Sequence, residues 1–187
     1  MSRASTPGQT VGPFFGFALP YEDGAELVPP GHADAILLHG RVLDGAGEPV
    51  PDALVELWQP DGEGAVAKRP GSLRREDTTF TGWGRAATDD AGRFRFTTVP
   101  PAPVAPRTDA YFALTVFARG LLDRLFTRAY VPTDATLQST DPLLATLPPD
   151  RRATLIAIPD DAGYRFDIRL QGDDETVFLT YPGHRHG

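Results

Sequence analysis

Residues 164–170 read Tyr-Arg-Phe-Asp-Ile-Arg-Leu, so apolar and polar side chains alternate over the whole stretch. Successive side chains of a β-strand point to opposite faces, and this alternation therefore predicts a strand with one buried and one solvated face. The same period occurs in residues 93–96, Arg-Phe-Arg-Phe, and the odd positions of residues 53–58, Ala-Leu-Val-Glu-Leu-Trp, are all apolar. The pattern is typical of antiparallel sheets that cover a core with one face.

Turn signals and further strands complete a fold prediction. Additional strands are predicted at residues 35–43, 112–118, 125–130 and 154–158. Asp/Gly turns of the hairpin type are predicted at residues 44–47 and 89–92. One helix is predicted to start with Asp141 as its N-cap and Pro142 in its first turn, and to end at Pro148. We therefore expect an all-β, single-domain β-sandwich with long loops, an extended N-terminal arm and at most one or two short helices.

The length of 187 residues fits one domain, and because no internal repeat interrupts the chain we expect a single domain over residues 1–187. Three segments, residues 1–34, 59–82 and 131–150, lack a regular pattern. The first is the N-terminal arm, and we expect its apolar side chains to pack on the core of this chain or on another subunit. The last residues, 180–187, are predicted to form a flexible tail.

Composition and charge exclude several classes of protein. The chain has no Cys, which excludes disulfides, thiolate zinc sites and a Cys nucleophile. The net charge of −7 argues against a nucleic-acid partner. No signal peptide and no apolar run of membrane-spanning length occur, so we expect a cytoplasmic protein without a membrane partner.

The residues suited to a metal site are few, at 4 His and 5 Tyr. His184 and His186 form a His-x-His pair, but they lie at the end of the chain, where we expect disorder rather than a metal. His39 lies within a predicted strand and His32 within a loop, and hydrogen bonding or solvation is the more common role of each. Glu56 lies inside a strand with Arg85 or Arg95 as its possible partner, and the residues alone leave the choice open.

Five sequence motifs, in the same order along the chain, resemble those of a known protein family. They are residues 9–15, Gln-Thr-Val-Gly-Pro-Phe-Phe; residues 40–62, Gly-Arg-Val-Leu-Asp-Gly to Gln-Pro-Asp-Gly; residues 84–94; residues 117–121, Phe-Ala-Arg-Gly-Leu; and residues 164–172. Together they resemble the intradiol ring-cleavage dioxygenases over about Thr6 to Phe178, and most of all the alpha subunits of the protocatechuate-cleaving members. The resemblance implies a β-sandwich enzyme in which two Tyr and two His hold non-haem ferric iron in a homologous beta subunit.

Each iron-ligand position of that family has changed in this sequence. Tyr111 and Ala113 stand where the catalytic chain has His-x-His, and Val104 stands where it has the Tyr of Pro-Gly-Pro-Tyr. The loop between Gln59 and Gly84, where the other ligand Tyr would fall, contains no Tyr. Aliphatic side chains cannot donate to Fe³⁺. The resemblance therefore implies no metal and no catalytic residue in this chain, with Fe³⁺ bound by the beta subunit.

The alpha subunits of the family contribute to the substrate pocket at the interface with beta. Carried over by motif, the pocket residues here are Thr10, Gly12, Pro13 and Arg119. Gly12 would permit close approach of a flat ring and Pro13 would offer a rigid apolar face, while Arg119 would favour an anionic substrate. Two plainer interpretations stay open, namely an ordinary turn at Gly12 and Pro13, and an ion pair or interface contact for Arg119.

The resemblance implies one function and leaves two alternatives. The implied function is that of a non-iron-binding alpha subunit, inactive alone, which helps to form the pocket for O₂-dependent intradiol cleavage of protocatechuate to 3-carboxy-cis,cis-muconate. Its partners would be the iron-binding beta subunit in an alpha-beta hetero-oligomer, the small aromatic acid and O₂. The alternatives are a non-enzymatic binding module of the transthyretin-like type and a single-chain intradiol dioxygenase with a relocated metal site.

Overall fold

Nine strands and two short α-helices occur in the computed structural model, which describes residues 9–29, 31–68, 79–133 and 141–181. The strands are β1 Ile36–Leu43, β2 Leu54–Trp58, β3 Trp83–Ala87, β4 Arg93–Thr98, β5 Tyr111–Phe117, β6 Leu125–Tyr130, β7 Ile158–Asp160, β8 Gly163–Arg165 and β9 Ile168–Arg169. The helices are α1 Phe15–Ala18 and α2 Pro149–Ala153, and a 3₁₀ turn covers Leu144–Thr146.

The strands form two sheets that pack face to face. The first sheet has the order β4-β1-β8-β7, with β9 also paired to β1, and the second has the order β3-β2-β5-β6. Alternate side chains of both sheets point into one core, whose fully buried members include Leu38, Leu57, Phe96 and Phe112. The prediction of a β-sandwich with at most two short helices is confirmed.

Part of the N-terminal arm closes one edge of the sandwich. The N–H of Arg85 in β3 donates to the carbonyl of Gly24 at 2.7 Å, and the N–H of Leu27 donates to the carbonyl of Thr97 in β4 at 2.8 Å. The arm thus joins two edge strands that belong to different sheets. Gly84 is needed here, because a Cβ atom on it would lie 2.5 Å from Leu27 Cδ1.

The apolar side chains of the arm divide between two environments. Leu27 and Val28 are 0% and 2% exposed and belong to the core, whereas Phe14 and Phe17 are 76% and 86% exposed. Packing on the core of this chain therefore accounts for Leu27 and Val28 but leaves Phe14 and Phe17 without an apolar cover in the described part of the chain.

The predicted continuous strand at residues 164–170 is divided into β8 and β9. Both parts pair with β1 in one register, Leu37 opposite Gly163 and Val42 opposite Ile168. Between them, Oδ1 of Asp167 accepts the N–H of Arg41 at 3.0 Å and so replaces a main-chain acceptor. The alternation correctly predicted which side chains are buried, but a side chain that takes over a main-chain hydrogen bond leaves no trace in that pattern.

The strand predicted at residues 154–158 is wrong. Helix α2 lies directly before these residues and begins at Pro149. A proline suits the first helical position, since it has no N–H to leave unpaired. The N–H of Leu155 still donates to the carbonyl of Arg152 at 3.0 Å, so the helical turn continues into the predicted strand. Only Ile156 forms an isolated bridge, to Tyr130, before β7 begins at Ile158.

The helix predicted after Asp141 is also shorter than expected. Asp141 does act as a cap, because its Oδ1 accepts the N–H of Leu143 at 2.9 Å, but only the 3₁₀ turn Leu144–Thr146 follows. Strand β3, which follows the irregular segment 59–82, was not predicted, since Gly84 removes the side chain that would have shown alternation. No helix in the described part of the chain is long and apolar enough to cross a membrane.

Candidate functional site

Thr10, one of the residues predicted for a substrate pocket, contacts the residue that follows Arg119, another of them, just beyond the end of β5. The hydroxyl of Thr10 accepts the N–H of Gly120 at 2.7 Å, although the two residues are 110 positions apart. Gly120 has φ +90°, a left-handed conformation that favours glycine, and it follows Arg119 directly. The N-terminal arm and the Phe-Ala-Arg-Gly turn thus form one surface, which we call the arm site: Thr10, Gly12, Pro13, Asp52, Arg119 and Gly120.

Asp52 holds Arg119 at the arm site. Its Oδ2 lies 2.6 Å from Nη2 of Arg119, and the arginine side chain is 57% exposed. Asp52 itself has φ +60°, which a non-glycine residue rarely adopts and which Asp tolerates better than most. The ion pair that the sequence left open for Arg119 is therefore present, and it fixes the direction of the guanidinium without burying it.

Gly12 and Pro13 lie in a turn that leads into α1. The N–H of Phe15 donates to the carbonyl of Gly12 at 3.2 Å, and Phe15 is buried, so the turn is anchored from its far side. A Cβ atom on Gly12 would meet nothing within 4 Å. Packing within this chain therefore does not require glycine at position 12, and the free space above it is open to a ligand or a partner.

Two of the lost iron-ligand positions, Tyr111 and Ala113, lie at the opposite end of β5. Ala113 is four residues before the end of the strand at Phe117, which is roughly 13 Å at about 3.3 Å per residue. Arg119 lies two residues beyond that end and so cannot be assigned to the face of Tyr111 and Ala113 by strand parity. The structure separates the seven residues singled out from the sequence into the arm site and this second set, which includes Val104.

Aromatic and cationic groups surround the second set. The guanidinium carbon of Arg128 lies 4.1 Å from the ring centroid of Tyr111, and Ala113 pairs with Arg128 and Trp58 in register. Nη1 of Arg128 also donates to the hydroxyl of Tyr130 at 3.1 Å. A fixed cation over the Tyr111 ring is unfavourable for binding a ferric ion.

Tyr130 is also unsuited to bind a metal. Its hydroxyl donates to Oδ1 of Asp141 at 3.1 Å, and its side chain is fully buried. Burial raises the pKa of Tyr130 far above its usual value, against the lowering effect of Arg128. The phenol therefore stays protonated, whereas a tyrosinate is what an iron ligand of this type must supply.

The donor set at these positions does not fit a ferric ion. Val104 and Ala113 offer no donor atom, and the described residues contain no group of three or more His, Asp or Glu side chains placed to hold a metal. His39 lies in the other sheet with its Nε2 2.8 Å from Asp160, and His32 accepts the N–H of Asp34 at 3.2 Å. His184 and His186 lie outside the described residues.

The sequence and fold of this chain were compared with those of known proteins. A family model described as "Dioxygenase" matches residues 12–172. The chain belongs to the intradiol dioxygenase family. It is 40% identical to the protocatechuate 3,4-dioxygenase alpha chain of Burkholderia cepacia, over 93% of this chain and 96% of that one.

This intradiol dioxygenase chain also resembles a beta chain and a solved structure at lower identity. It is 34% identical to the protocatechuate 3,4-dioxygenase beta chain of Burkholderia cepacia, over 76% of this chain and 67% of that one. Among solved structures, the dioxygenase domain of a carbohydrate-binding fusion protein from Streptomyces sp. SirexAA-E has a TM-score of 0.57 at 23% identity, over 90% of this chain and 99% of that domain. This last similarity shows the shared β-sandwich fold.

Sequence reasoning did not find Asp52 or Arg128. Asp52 follows Pro51 and carried only the general signal of an aspartate in a turn, since its partner Arg119 is distant in sequence. Arg128 lies in a correctly predicted strand, but neither its ring contact nor its bond to Tyr130 has a local signal. The structure also settles the partner of Glu56, whose Oε1 accepts bonds from Arg85 at 2.6 and 3.1 Å.

Proposed function

We propose that this chain is the non-iron-binding alpha subunit of a protocatechuate 3,4-dioxygenase. A homologous beta subunit would hold the ferric iron, and the assembled enzyme would cleave protocatechuate with O₂ to 3-carboxy-cis,cis-muconate. The chain alone would be inactive.

The observation that carries this proposal is the state of the lost ligand positions in a fold that is otherwise retained. Strand β5 and its neighbours keep the framework, yet Val104, Tyr111 and Ala113 offer no donor set for Fe³⁺. The resemblance to an alpha chain over 93% of this sequence agrees with that loss. A chain that keeps the sandwich but lacks the ligands needs a partner for any iron chemistry.

The role of this chain would be to complete the partner's pocket through the arm site. Thr10, Gly12, Pro13 and Arg119 are all exposed, and the bond from Gly120 to Thr10 brings the arm beside the turn that carries Arg119, so a partner can reach both segments. Arg119 presents a guanidinium, which binds carboxylates through two parallel hydrogen bonds, and protocatechuate carries one carboxylate. Gly12 leaves open space for a ring edge and Pro13 adds a rigid apolar surface.

The exposed half of the arm supports a partner at the same place. Phe14 and Phe17 flank the buried Phe15 on the short helix α1, and their exposure is costly unless another surface covers them. When bound by the partner, the iron would supply the activation of the catecholate ring toward O₂. The residues of this chain would bind and orient the substrate and exclude water from one side of the pocket.

The test is to purify the chain alone and together with a co-expressed beta homologue. We expect iron, the visible tyrosinate-to-iron charge-transfer band and ring cleavage only in the co-purified complex. The two chains should also elute together. Stoichiometric iron with the charge-transfer band in the chain alone would overturn the proposal, and so would an active beta homologue that never binds this chain.

A further inference from the structure

The outward face of the first sheet carries a cluster of cationic side chains. Arg93 and Arg95 project from β4, His39 and Arg41 from β1, and Arg165 from β8. These five residues lie along a groove of about 1110 Å³ between this face and residues 20–26 of the N-terminal arm. Arg85, Ala86 and Ala87 at the edge strand β3 of the second sheet also line the groove.

The strand register brings these cations directly opposite one another. Arg41 pairs with Arg93, and His39 pairs with Arg95 on one side and with Arg165 on the other. Directly opposed residues have Cβ atoms about 5 Å apart, and like charges there are destabilising. A protein with a net charge of −7 thus concentrates positive charge on one sheet face.

Three of the arginines have no carboxylate partner in the described part of the chain. No ion pair within 4.0 Å is formed by Arg41, Arg93 or Arg95, whereas His39 is paired with Asp160 at 2.8 Å. Nε of Arg165 is 3.9 Å from Asp167, at the limit of an ion pair. The three unpaired guanidinium groups are exposed and therefore open to an external anion.

The carboxylates that line the groove form no ion pair with Arg41, Arg93 or Arg95 in the described part of the chain. Oδ1 of Asp89 accepts the N–H groups of Ala91 and Arg93 at 2.9 Å each, and Oδ1 of Asp167 accepts the N–H of Arg41 at 3.0 Å. Main-chain bonds thus hold Asp89 and Asp167 in turns and strand junctions. Asp23 and Glu26 lie on the opposite wall, on the arm.

We propose that this groove binds a compact anion with two or more negative charges, through the guanidinium groups of Arg41, Arg93 and Arg95. Arginine suits clustered anionic oxygens because its planar group donates two parallel hydrogen bonds to a carboxylate or phosphate. An anion between the opposed strands also removes the repulsion between Arg41 and Arg93.

Isothermal titration of the full-length chain with inorganic phosphate, citrate and acetate tests the site, at a constant ionic strength set with sodium chloride. We expect saturable one-site binding of phosphate or citrate and none of acetate, which carries one charge. Citrate alone would identify a polycarboxylate site and phosphate alone a phosphate site. The R93Q/R95Q variant should bind at least about tenfold more weakly, because two charge-assisted hydrogen bonds are lost.

The matched control is R107Q/R124Q, which removes the same charge from exposed positions outside the groove. It should bind as the unmodified chain does. Absence of saturable binding by both phosphate and citrate would overturn the proposal, as would an equal loss of affinity in the two double variants, since the effect would then be one of net charge. Thermal unfolding in sodium chloride alone should show that both variants are folded.

Discussion

The carboxylate of Asp52 lies 2.6 Å from the guanidinium of Arg119, and it joins the turn before β2 to the turn after β5. Arg119 is more than half exposed, so without this contact its long side chain would sample many rotamers. A surface ion pair of this kind adds little to the free energy of unfolding. Its consequence is geometric, because the charge of Arg119 is held beside Thr10 and the open space above Gly12.

Replacing Asp52 by Asn therefore tests whether this geometry matters to the proposed enzyme. Asn tolerates the left-handed conformation of position 52, so the fold should be retained while the charge is lost. In the assembled enzyme, we expect KM for protocatechuate to rise several-fold, kcat and iron content to stay unchanged, and KM for catechol without a carboxylate to stay the same. D150N, at an exposed position of α2, is the control.

Replacing Arg119 by Ala tests the predicted role of that residue directly. If its guanidinium meets the carboxylate of the substrate, R119A should raise KM for carboxylated catechols by tenfold or more, since a charge-assisted hydrogen bond contributes about 1.5–3 kcal/mol. R119K should restore only part of the affinity, because an ammonium cannot form two parallel bonds. Unchanged kinetics with protocatechuate would leave Arg119 with a structural role through Asp52 alone.

Alternation was enough to predict the faces of the strands but not where each strand ends. The period of Tyr164 to Leu170 correctly assigned Phe166 and Ile168 to the core, yet Asp167 divides the strand by accepting a main-chain hydrogen bond. Likewise, the helix predicted after Asp141 was expected to end at Pro148, but a second helix, α2, starts directly after that residue. The alternation of apolar and polar residues predicts which side chains are buried. Hydrogen bonds between distant segments leave no periodic pattern in the sequence.

The sequence predicted some residues of the arm site but neither Asp52 nor the contacts that bring the residues together. Motifs selected Thr10 and Arg119, and the structure brings both to Gly120 and Asp52. The separation of Arg119 from Tyr111 follows from the predicted strand at residues 112–118, whereas the ion pair of Arg119 with Asp52 joins segments distant in sequence and has no local signal.

The pair of Glu56 and Arg85 should be the most sensitive ion pair in the second sheet. Both side chains are mostly buried, and Arg85 also donates to the carbonyl of Leu19 at 2.9 Å and lies over the Trp83 ring. R85A leaves a carboxylate unpaired and releases the arm, so we expect a loss of about 2–3 kcal/mol in the free energy of unfolding. Urea denaturation measures this loss.

A double variant separates the charge effect from the loss of contacts. E56Q/R85M removes both charges at similar volume, and we expect it to be more stable than R85A, because no unpaired carboxylate remains. Equal destabilisation of the two variants would mean that the contacts of Arg85 with Leu19 and Trp83, rather than its charge, account for the effect.

Tyr130 should give the chain a distinct response to alkaline pH. Burial holds the pKa of this phenol far above its unfolded value of about 10, with Asp141 also opposing ionisation. Because the folded-state pKa is the higher one, the contribution of Tyr130 to stability is complete below about pH 10 and is lost as pH rises from there toward the folded-state pKa.

Spectrophotometric titration should therefore show one tyrosine that ionises only when the protein unfolds. Y130F should abolish that late step, and the steep fall of the free energy of unfolding above pH 10 should become shallower. Ionisation of Tyr130 in the folded chain at the ordinary pKa of a tyrosine, about 10, would contradict the assignment.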